Sequence, residues 1–497
     1  MPSASLHIDK YKDCLDRVGE TGFVETVVPP LVYVNGIPDA RLNEVIFFEN
    51  GVMGIVRALA SDSAEVLVFS HEPIKVEMQV ARTGEIVKIP VGYDFLGISV
   101  NPMGGPLYSN VPTPNAEETR FIDTPAAGID SREKVTEPFV TGVTVVDLMV
   151  PLGTGQRELV VGDRKTGKTA FLMQTLLTQA KRGTICVYAG IGKKKADIRK
   201  VEAFVKENKI QDKISLIFSS ATDPLGLVYI TPYVGMTLAE YFRDKGHNVL
   251  LILDDLTTHA KFYREISLVG KRFPGRNSYP GDIFHVHSRL LERAGNFKTE
   301  KGANSITCLP VADTVESDIS GYIQTNLMSI TDGHIYFDQD LFEKGRRPAV
   351  NYFLSVTRVG RQTQSRIHWG VNRELSSFLT LYDKTQQFIH FGAELNDGIR
   401  STLATGDRIF ELFNQPMGII IPVNVQIFFF CLLWSGVLGD ISVEKSNELL
   451  NKIIQKHNVS EEFQKYVRGY VEESKDFNML LGKISSQYKE ILARVNK

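Results

Sequence analysis

The octapeptide Gly162-Asp163-Arg164-Lys165-Thr166-Gly167-Lys168-Thr169 satisfies G-x-x-x-x-G-K-[ST] at every fixed position, and few folds can accommodate it. The pattern predicts a phosphate-binding loop. Its glycines let the backbone wrap closely around a polyphosphate, so that successive N–H groups point at the oxygens. Lys168 adds a mobile positive charge at the β- and γ-phosphates, and the Thr169 hydroxyl offers a ligand for Mg²⁺. Short patterns recur by chance, so the flanks decide. Leu159-Val160-Val161 reads as a strand entering the loop; behind it Leu172, Met173, Leu176, Leu177 and Ala180 recur at helical spacing until Gly183. Strand, loop and helix therefore come in the order that sets a helix N-terminus against the phosphates. A glycine-rich turn without a ligand is the weaker alternative.

A chain of 497 residues has room for two to four domains of about 100–200 residues each. Its formal charge of −2 argues against global attraction to nucleic acid or anionic lipid. Cys14, Cys186, Cys308 and Cys431 lie far apart, so neither a zinc knuckle nor a disulfide framework is indicated, and a reducing setting fits best. Met1 to Asp13 carries scattered charges and lacks the apolar core of a secretory signal; earlier removal of an organelle peptide stays open. Leu412 to Gly439 has no charged residue and is long enough for a membrane span. However, Pro416, Pro422, Asn424, Gln426, Gly436 and Gly439 interrupt it, and no basic cluster flanks it closely. A buried helix pair inside a bundle is the expectation.

Residues 1–21 form an N-terminal arm. Over 22–92, short β-branched runs at Phe23 to Val28, Leu31 to Val34, Val45 to Phe48, Val52 to Leu59, Glu65 to Phe69 and Ile74 to Val80 alternate with the turn signals Asn35-Gly36, Asn50-Gly51 and Thr83-Gly84. Six short strands in so few residues predict a small closed β-barrel, because an open sheet would leave edges exposed. The Gly- and Pro-rich stretch from Pro90 to Pro114 marks the boundary of a second domain, 93–365. There, apolar strands around Val160, at Ile185 to Ala189, Ile214 to Phe218, Val249 to Leu253, Ser305 to Leu309 and Tyr352 to Val356 are spaced by helical segments. This is the signature of a parallel α/β sheet covered on both faces, with ligands at the carboxyl ends of its strands. Residues 366–497 read as an α-helical bundle: Leu449, Leu450, Ile453, Ile454, Phe463, Tyr466, Val467 and Tyr470 put apolar groups on one face of charged helices.

Two further positions carry chemistry. Asn248 to Asp255 is an apolar strand ending in two carboxylates, and Asp254 is the better placed to serve a Mg²⁺ shell beside a phosphate loop. Alone, an Asp at a strand end is as often a turn former. Arg358, in Ser355-Val356-Thr357-Arg358-Val359-Gly360, follows the last expected core strand and is read at the C-terminal edge of the sheet. It is either a salt-bridged surface residue or a group that reaches a neighbouring subunit's phosphate. The run Lys193-Lys194-Lys195 reads as a solvated face.

With these residues in place the chain resembles a known family, the alpha subunit of the F-type ATP synthase head. The likeness runs from Arg82-Thr83-Gly84 to the helical end. It includes Gly155-Gln156-Arg157-Glu158-Leu159, the phosphate loop, Leu253-Asp254-Asp255-Leu256, Pro274-Gly275-Arg276, Tyr279-Pro280-Gly281-Asp282, His287 to Arg293, Ile330-Thr331-Asp332-Gly333 and Arg358-Val359-Gly360. The resemblance implies a β-barrel, a RecA-like P-loop domain and a helical domain. It implies an alternating ring of three alpha-type and three beta-type chains around a gamma-type central stalk, with peripheral-stalk or membrane-linked proteins and no nucleic acid. It further implies bound Mg-ATP or ADP at a non-catalytic interface and an arginine lent to the beta subunit's catalytic site: Arg358 by motif position, supported by Ser355. Phe342, Arg347, Pro348 and Gln415 would hold the adenine. The implied location is the cytoplasmic side of a bacterial membrane, or the matrix side of an inner organelle membrane.

After the Ile185 strand, catalytic beta-type subunits carry a glutamate and alpha subunits carry a glutamine; here Lys193 stands there. A protonated lysine cannot act as that base. The sequence departs from the alpha pattern also at Lys165, Asn277-Ser278 and Met417. Such divergence fits a fast-evolving synthase or a related head driving other machinery, such as gliding in mycoplasmas. A self-sufficient RecA-like ring ATPase or helicase is the contrasting class, and the absent glutamate and lack of an aromatic-basic barrel face argue against it.

Overall fold

The computed structural model describes residues 4–390, 397–438 and 441–496; Met1 to Ser3 of the expected arm and Gly439 of the apolar stretch lie outside them. The protein forms two compact units. One comprises Met1–Lys134, Ala180–Thr314 and Asp318–Thr331, and the other Val135–Gln179, Val315–Ser317 and Asp332–Lys497.

The first unit opens with helix Ala4–Val18 and six antiparallel strands: β1 Thr21–Val28, β2 Leu31–Asn35, β3 Glu44–Phe48, β4 Met53–Leu59, β5 Ser63–Val68 and β6 Gln79–Ile86. They close as a barrel in the order β1-β2-β5-β4-β3-β6, which leaves no edge for another strand to pair with. Val24, Val34, Ile46, Phe48, Val56, Val66 and Val80 fill its interior. Asn35-Gly36 and Asn50-Gly51 end strands as expected, with both glycines at positive φ.

The sixth strand differs from expectation. Ile74 to Met78 turns instead of extending, with Glu77 at φ 68°, and β6 begins at Gln79 and runs through Thr83-Gly84. The glycine there serves a register shift between β3 and β6 rather than a hairpin. Thr83 Oγ1 donates to Val45 O at 2.7 Å, and Gly84 N donates to Glu44 Oε1 at 2.9 Å, so the displaced backbone is satisfied within the barrel wall. Beside it Arg82 is buried against Glu44, its Nε 3.0 Å from Oε1.

The same unit holds parallel strands in the order Gly302–Asp313, Val249–Asp254, Ile185–Lys193, Ile214–Ser220 and Ser99–Val100, with Gly295–Thr299 antiparallel on Gly302–Asp313. Val249 to Leu253 are essentially inaccessible, as expected of strands covered on both faces.

In the second unit Glu158–Gly162 runs parallel to Gly333–Phe337, and the short strand Val356–Thr357 lies antiparallel to Gly333 and His334. The core strand is thus Gly333–Phe337, whereas Tyr352 to Val356, expected as a strand, is mostly turn. Asn351 explains this: its side-chain oxygen accepts from the N–H groups of Phe353 and Leu354, both at 3.1 Å, a local bond that competes with a ladder.

Among the described residues six helices follow: Arg366–His390, Asp397–Phe413, Val423–Trp434, Val443–Val459, Glu461–Glu473 and Phe477–Asn496. The apolar stretch contributes one complete helix, Val423–Trp434, where a buried pair was expected; Pro416 and Pro422 bracket the irregular segment before it. Val425 to Leu433 are buried all round, with Phe428 edge-on to Tyr470 at 5.5 Å and Phe430 stacked with Phe477 at 6.3 Å. Among the described residues no helix is long and apolar enough to cross a membrane.

Candidate functional site

Glu158–Gly162 and Gly333–Phe337 bring Gly162 opposite Phe337, so both strands end at one edge. A Cβ on Gly162 would lie 2.3 Å from the Phe337 carbonyl oxygen, so the loop can leave the sheet this closely only with glycine. Lys165 at φ 68° and Gly167 at φ 101° turn the backbone back before the helix Lys168–Lys181. The Thr166 hydroxyl fixes the curve by donating to Asp163 O at 2.7 Å, and Ser317 N donates to Asp163 Oδ2 at 2.9 Å. Lys168 Nζ folds back onto the loop, donating to Gly162 O and Asp163 O, both at 2.6 Å. Its ammonium is therefore held at the mouth of the cradle, where phosphate oxygens can replace carbonyls as acceptors. Thr169 is exposed on the first turn, and Arg164 on the loop is exposed too.

The residues expected at an adenine follow from the same strand edge. After Phe337, Asp338 accepts from Asp340 N at 2.8 Å and starts the short helix Gln339–Glu343. The Arg347 guanidinium lies over the Phe342 ring at 3.6 Å and donates to Phe342 O at 2.8 Å. Gln415 N donates to Arg347 O at 2.8 Å, which ties the Arg347-Pro348 segment to the loop before the Val423–Trp434 helix. The Gln415 side chain accepts from the Thr144 amide and hydroxyl at 3.0 and 2.9 Å and donates to Gly142 O and Ile419 O at 2.7 and 2.6 Å. Its hydrogen-bonding capacity is thus spent on bracing this loop. Gln174, on the helix behind the phosphate loop, holds the same segment through Gly418 N and Ile419 O.

Arg358 stands at the other end of the strand pair. Thr357 pairs with Gly333, and Arg358 N donates to Asp332 O at 3.1 Å, so the residue lies at the amino-terminal edge and not the C-terminal edge expected from sequence. The error follows from taking Tyr352 to Val356 for a parallel strand. Four residue steps separate Glu158 from Gly162, about 13 Å of strand, which puts Arg358 beyond reach of the phosphate loop above it. Its side chain is exposed and makes no hydrogen bond or ion pair among the described residues. Ser355 anchors the preceding turn by donating to Asn351 O at 2.6 Å and accepting from Tyr336 N at 2.9 Å.

Beneath this turn lies a polar group that sequence reading missed. Glu158 is completely buried; its Oε2 accepts from Gln156 Nε2 at 2.6 Å, and its Oε1 has no hydrogen-bond partner. Burial pushes its carboxyl well above the ordinary carboxylate range, and the charge of Asp332 pushes the same way. The signal in the sequence is two polar side chains, Gln156 and Glu158, inside a run that otherwise reads as core strand.

In the first unit, Asp254 ends the Val249–Asp254 strand as expected. Lys193 Nζ lies 2.6 Å from Asp254 Oδ1 and 4.0 Å from Asp255 Oδ2, and the Tyr188 hydroxyl donates to Asp254 Oδ2. Lys193 is thus the partner of two carboxylates rather than part of a solvated face. Burial disfavours its charge, but the carboxylates outweigh this and hold its pKa above the usual lysine value. Asp255 caps the next helix, accepting from Thr258 N at 2.5 Å. The exposed Thr169 hydroxyl suits direct ligation of Mg²⁺. Both Asp254 oxygens already have partners within the first unit, Lys193 and Tyr188.

Comparison with known proteins agrees with the resemblance. Residues 142–357 match the nucleotide-binding domain of the ATP synthase alpha/beta family, and residues 364–493 match the C-terminal domain of the ATP synthase alpha/beta chain. The alpha subunit of ATP synthase from Staphylococcus epidermidis is 39% identical over 431 residues, covering 86% of each protein. With phosphate loop, barrel and helical end all in their expected order, the protein belongs to the ATP synthase alpha/beta family.

Proposed function

We propose that this protein is the non-catalytic alpha-type subunit of an F-type rotary ATPase head, binding Mg-ATP or ADP in its own loop and lending Arg358 to the catalytic site of a beta-type neighbour. The observation that carries the reading is the placement of Arg358 and the phosphate loop at opposite ends of one strand pair. An exposed guanidinium out of reach of its own loop can serve a phosphate held by a neighbouring subunit. Ser355 keeps the turn beneath it in place.

The ion pair of Lys193 with Asp254 supports the non-catalytic half of the proposal. A water-activating base must be unprotonated at working pH, and this ammonium is held in its charged form by two carboxylates. In this reading the exposed Thr169 hydroxyl would hold Mg²⁺, which would neutralise phosphate charge and orient the triphosphate. Phe342, Arg347 and Pro348 supply a flat surface for adenine, with Gln415 positioning them.

The partners that follow are a beta-type subunit in an alternating ring of six, a gamma-type stalk and linkers to the membrane. In a bacterium the protein would lie on the cytoplasmic face, held there by those partners. The test is equilibrium binding of Mg-ATP to the purified full-length protein, with phosphate release followed in the same sample. Binding with negligible release is expected, and brisk turnover by the protein alone would refute the reading.

A further inference from the structure

The buried Glu158 carboxyl lies directly against the turn that carries Arg358. Glu158 pairs with Gly333, which pairs in turn with Thr357. A Cβ on Gly333 would meet the Glu158 carboxyl oxygens at 2.6 and 2.9 Å and Val356 O at 2.2 Å, so the missing side chain leaves room for the carboxyl under the turn. Gln156 Nε2 donates to Glu158 Oε2 at 2.6 Å and lies 3.4 Å from Thr357 Oγ1, linking the carboxyl to the residue before the arginine. The other carboxyl oxygen, Oε1, is buried and has no hydrogen-bond partner, while the Arg358 side chain makes none either among the described residues. A buried acceptor without a donor is costly, and the exposed Arg358 guanidinium, whose charge already favours the ionised carboxyl, is the group best suited to satisfy it.

We propose that Glu158 is a positioning residue for Arg358, giving the guanidinium an inward station on Oε1 that competes with its outward station on a neighbouring subunit's phosphate. This rests on the finger reading of Arg358 above. With Glu158 neutral, the arginine is free to extend. When Glu158 loses its proton to solvent, no bond other than that O–H changes; the buried anion then draws Arg358 inward and withdraws it from the neighbour. The charged groups facing the carboxyl are few. Arg358 favours its ionised form and Asp332 opposes it. Arg157, just before the strand, is committed to Asp332 at 2.8 Å, and His334 bonds the Leu354 carbonyl oxygen at 2.8 Å.

The experiment is the pH profile of ATP turnover by the assembled complex carrying wild-type protein, Glu158→Gln, Glu158→Asp or Arg358→Ala, with assembly and thermal melting measured for each. Wild type should lose turnover as pH rises through the Glu158 midpoint, by about tenfold per pH unit above it. Glu158→Gln keeps the shape and the bond from Gln156 but cannot ionise, so its alkaline fall should vanish. Glu158→Asp keeps the charge with shorter reach, so its fall should persist with a displaced midpoint. An alkaline fall in Glu158→Gln identical to wild type overturns the proposal. If Glu158→Gln does not assemble, Glu158→Asp decides, and a profile superimposable on wild type overturns it equally. Unchanged turnover in Arg358→Ala would remove the finger reading itself. Lost turnover there, together with an unaltered Glu158→Gln profile, would remove only the role of Glu158.

Discussion

Replacing Lys193 with Ala asks whether this lysine is locked as a cation. Its Nζ sits 2.6 Å from Asp254 Oδ1, which gives a gross attraction of about 6 kcal/mol at an effective dielectric near 20. Desolvation cancels much of that, and the lysine side chain keeps 20% of its exposure, so water replaces part of the lost partner. Removing the ammonium leaves Asp254, 5% exposed, with only the Tyr188 hydroxyl, and Asp255 beside it. The expected loss is about 2–4 kcal/mol of local stability, near the lower end of the range for breaking a buried pair. Hydrogen exchange of peptides from Ile185–Lys193 and Val249–Asp254 under mild urea reports this unit rather than whole-chain unfolding. Asp254→Asn alone should cost less, and in the double variant Lys193→Ala with Asp254→Asn the losses should not add. Strict additivity would show that the two groups do not interact and would remove the argument that Lys193 is held protonated.

Three other outcomes are expected. Lys168→Ala should weaken nucleotide binding by about 10- to 100-fold in equilibrium titration, the worth of a charge-assisted bond to phosphate. His259 and His287 are fully buried and joined ring to ring, Nδ1 to Nε2, at 3.2 Å, and burial lowers the His259 pKa to about 4 and that of His287 well below its ordinary value. Because the folded pKa is depressed, their contribution is complete above the unfolded value near 6.5. It declines by about 1.4 kcal/mol per pH unit for each histidine as pH falls toward the folded value. His259→Gln should flatten this acid slope in urea titrations across that window. Phe428→Ala should destabilise the helical end by about 3–5 kcal/mol, seen as a lowered unfolding midpoint, because Phe428 is fully buried and packs edge-on to Tyr470.

The phosphate loop was legible because its demands are local: Gly162 must approach Phe337 and Gly167 must take a positive φ, and no other residue type serves both. The barrel was legible through the Asn-Gly turns. Thr83-Gly84 misled because a glycine at positive φ marks a register shift as readily as a hairpin, and only the pairing of β3 with β6 distinguishes them. Gly333–Phe337 escaped notice because it is short and opens on glycine, while Tyr352 to Val356 looks like a strand until the Asn351 side chain is seen to hold its amides. The edge on which Arg358 stands depends on the pairing of Glu158–Gly162 with Gly333–Phe337, far apart in sequence, and spacing carries no trace of it; Gln156 and Glu158 show as a polar interruption of a core strand, but only that pairing puts the carboxyl beneath the turn.

Whether chemistry is lent across a subunit boundary is read from ATP turnover by the assembled head with Arg358→Ala in this subunit, with nucleotide bound to its own loop quantified in the same preparation. A lent arginine requires a fall in turnover of about 10³–10⁵-fold with nucleotide occupancy unchanged. Turnover within a few fold of wild type, or loss of nucleotide from this subunit's own loop, would contradict it.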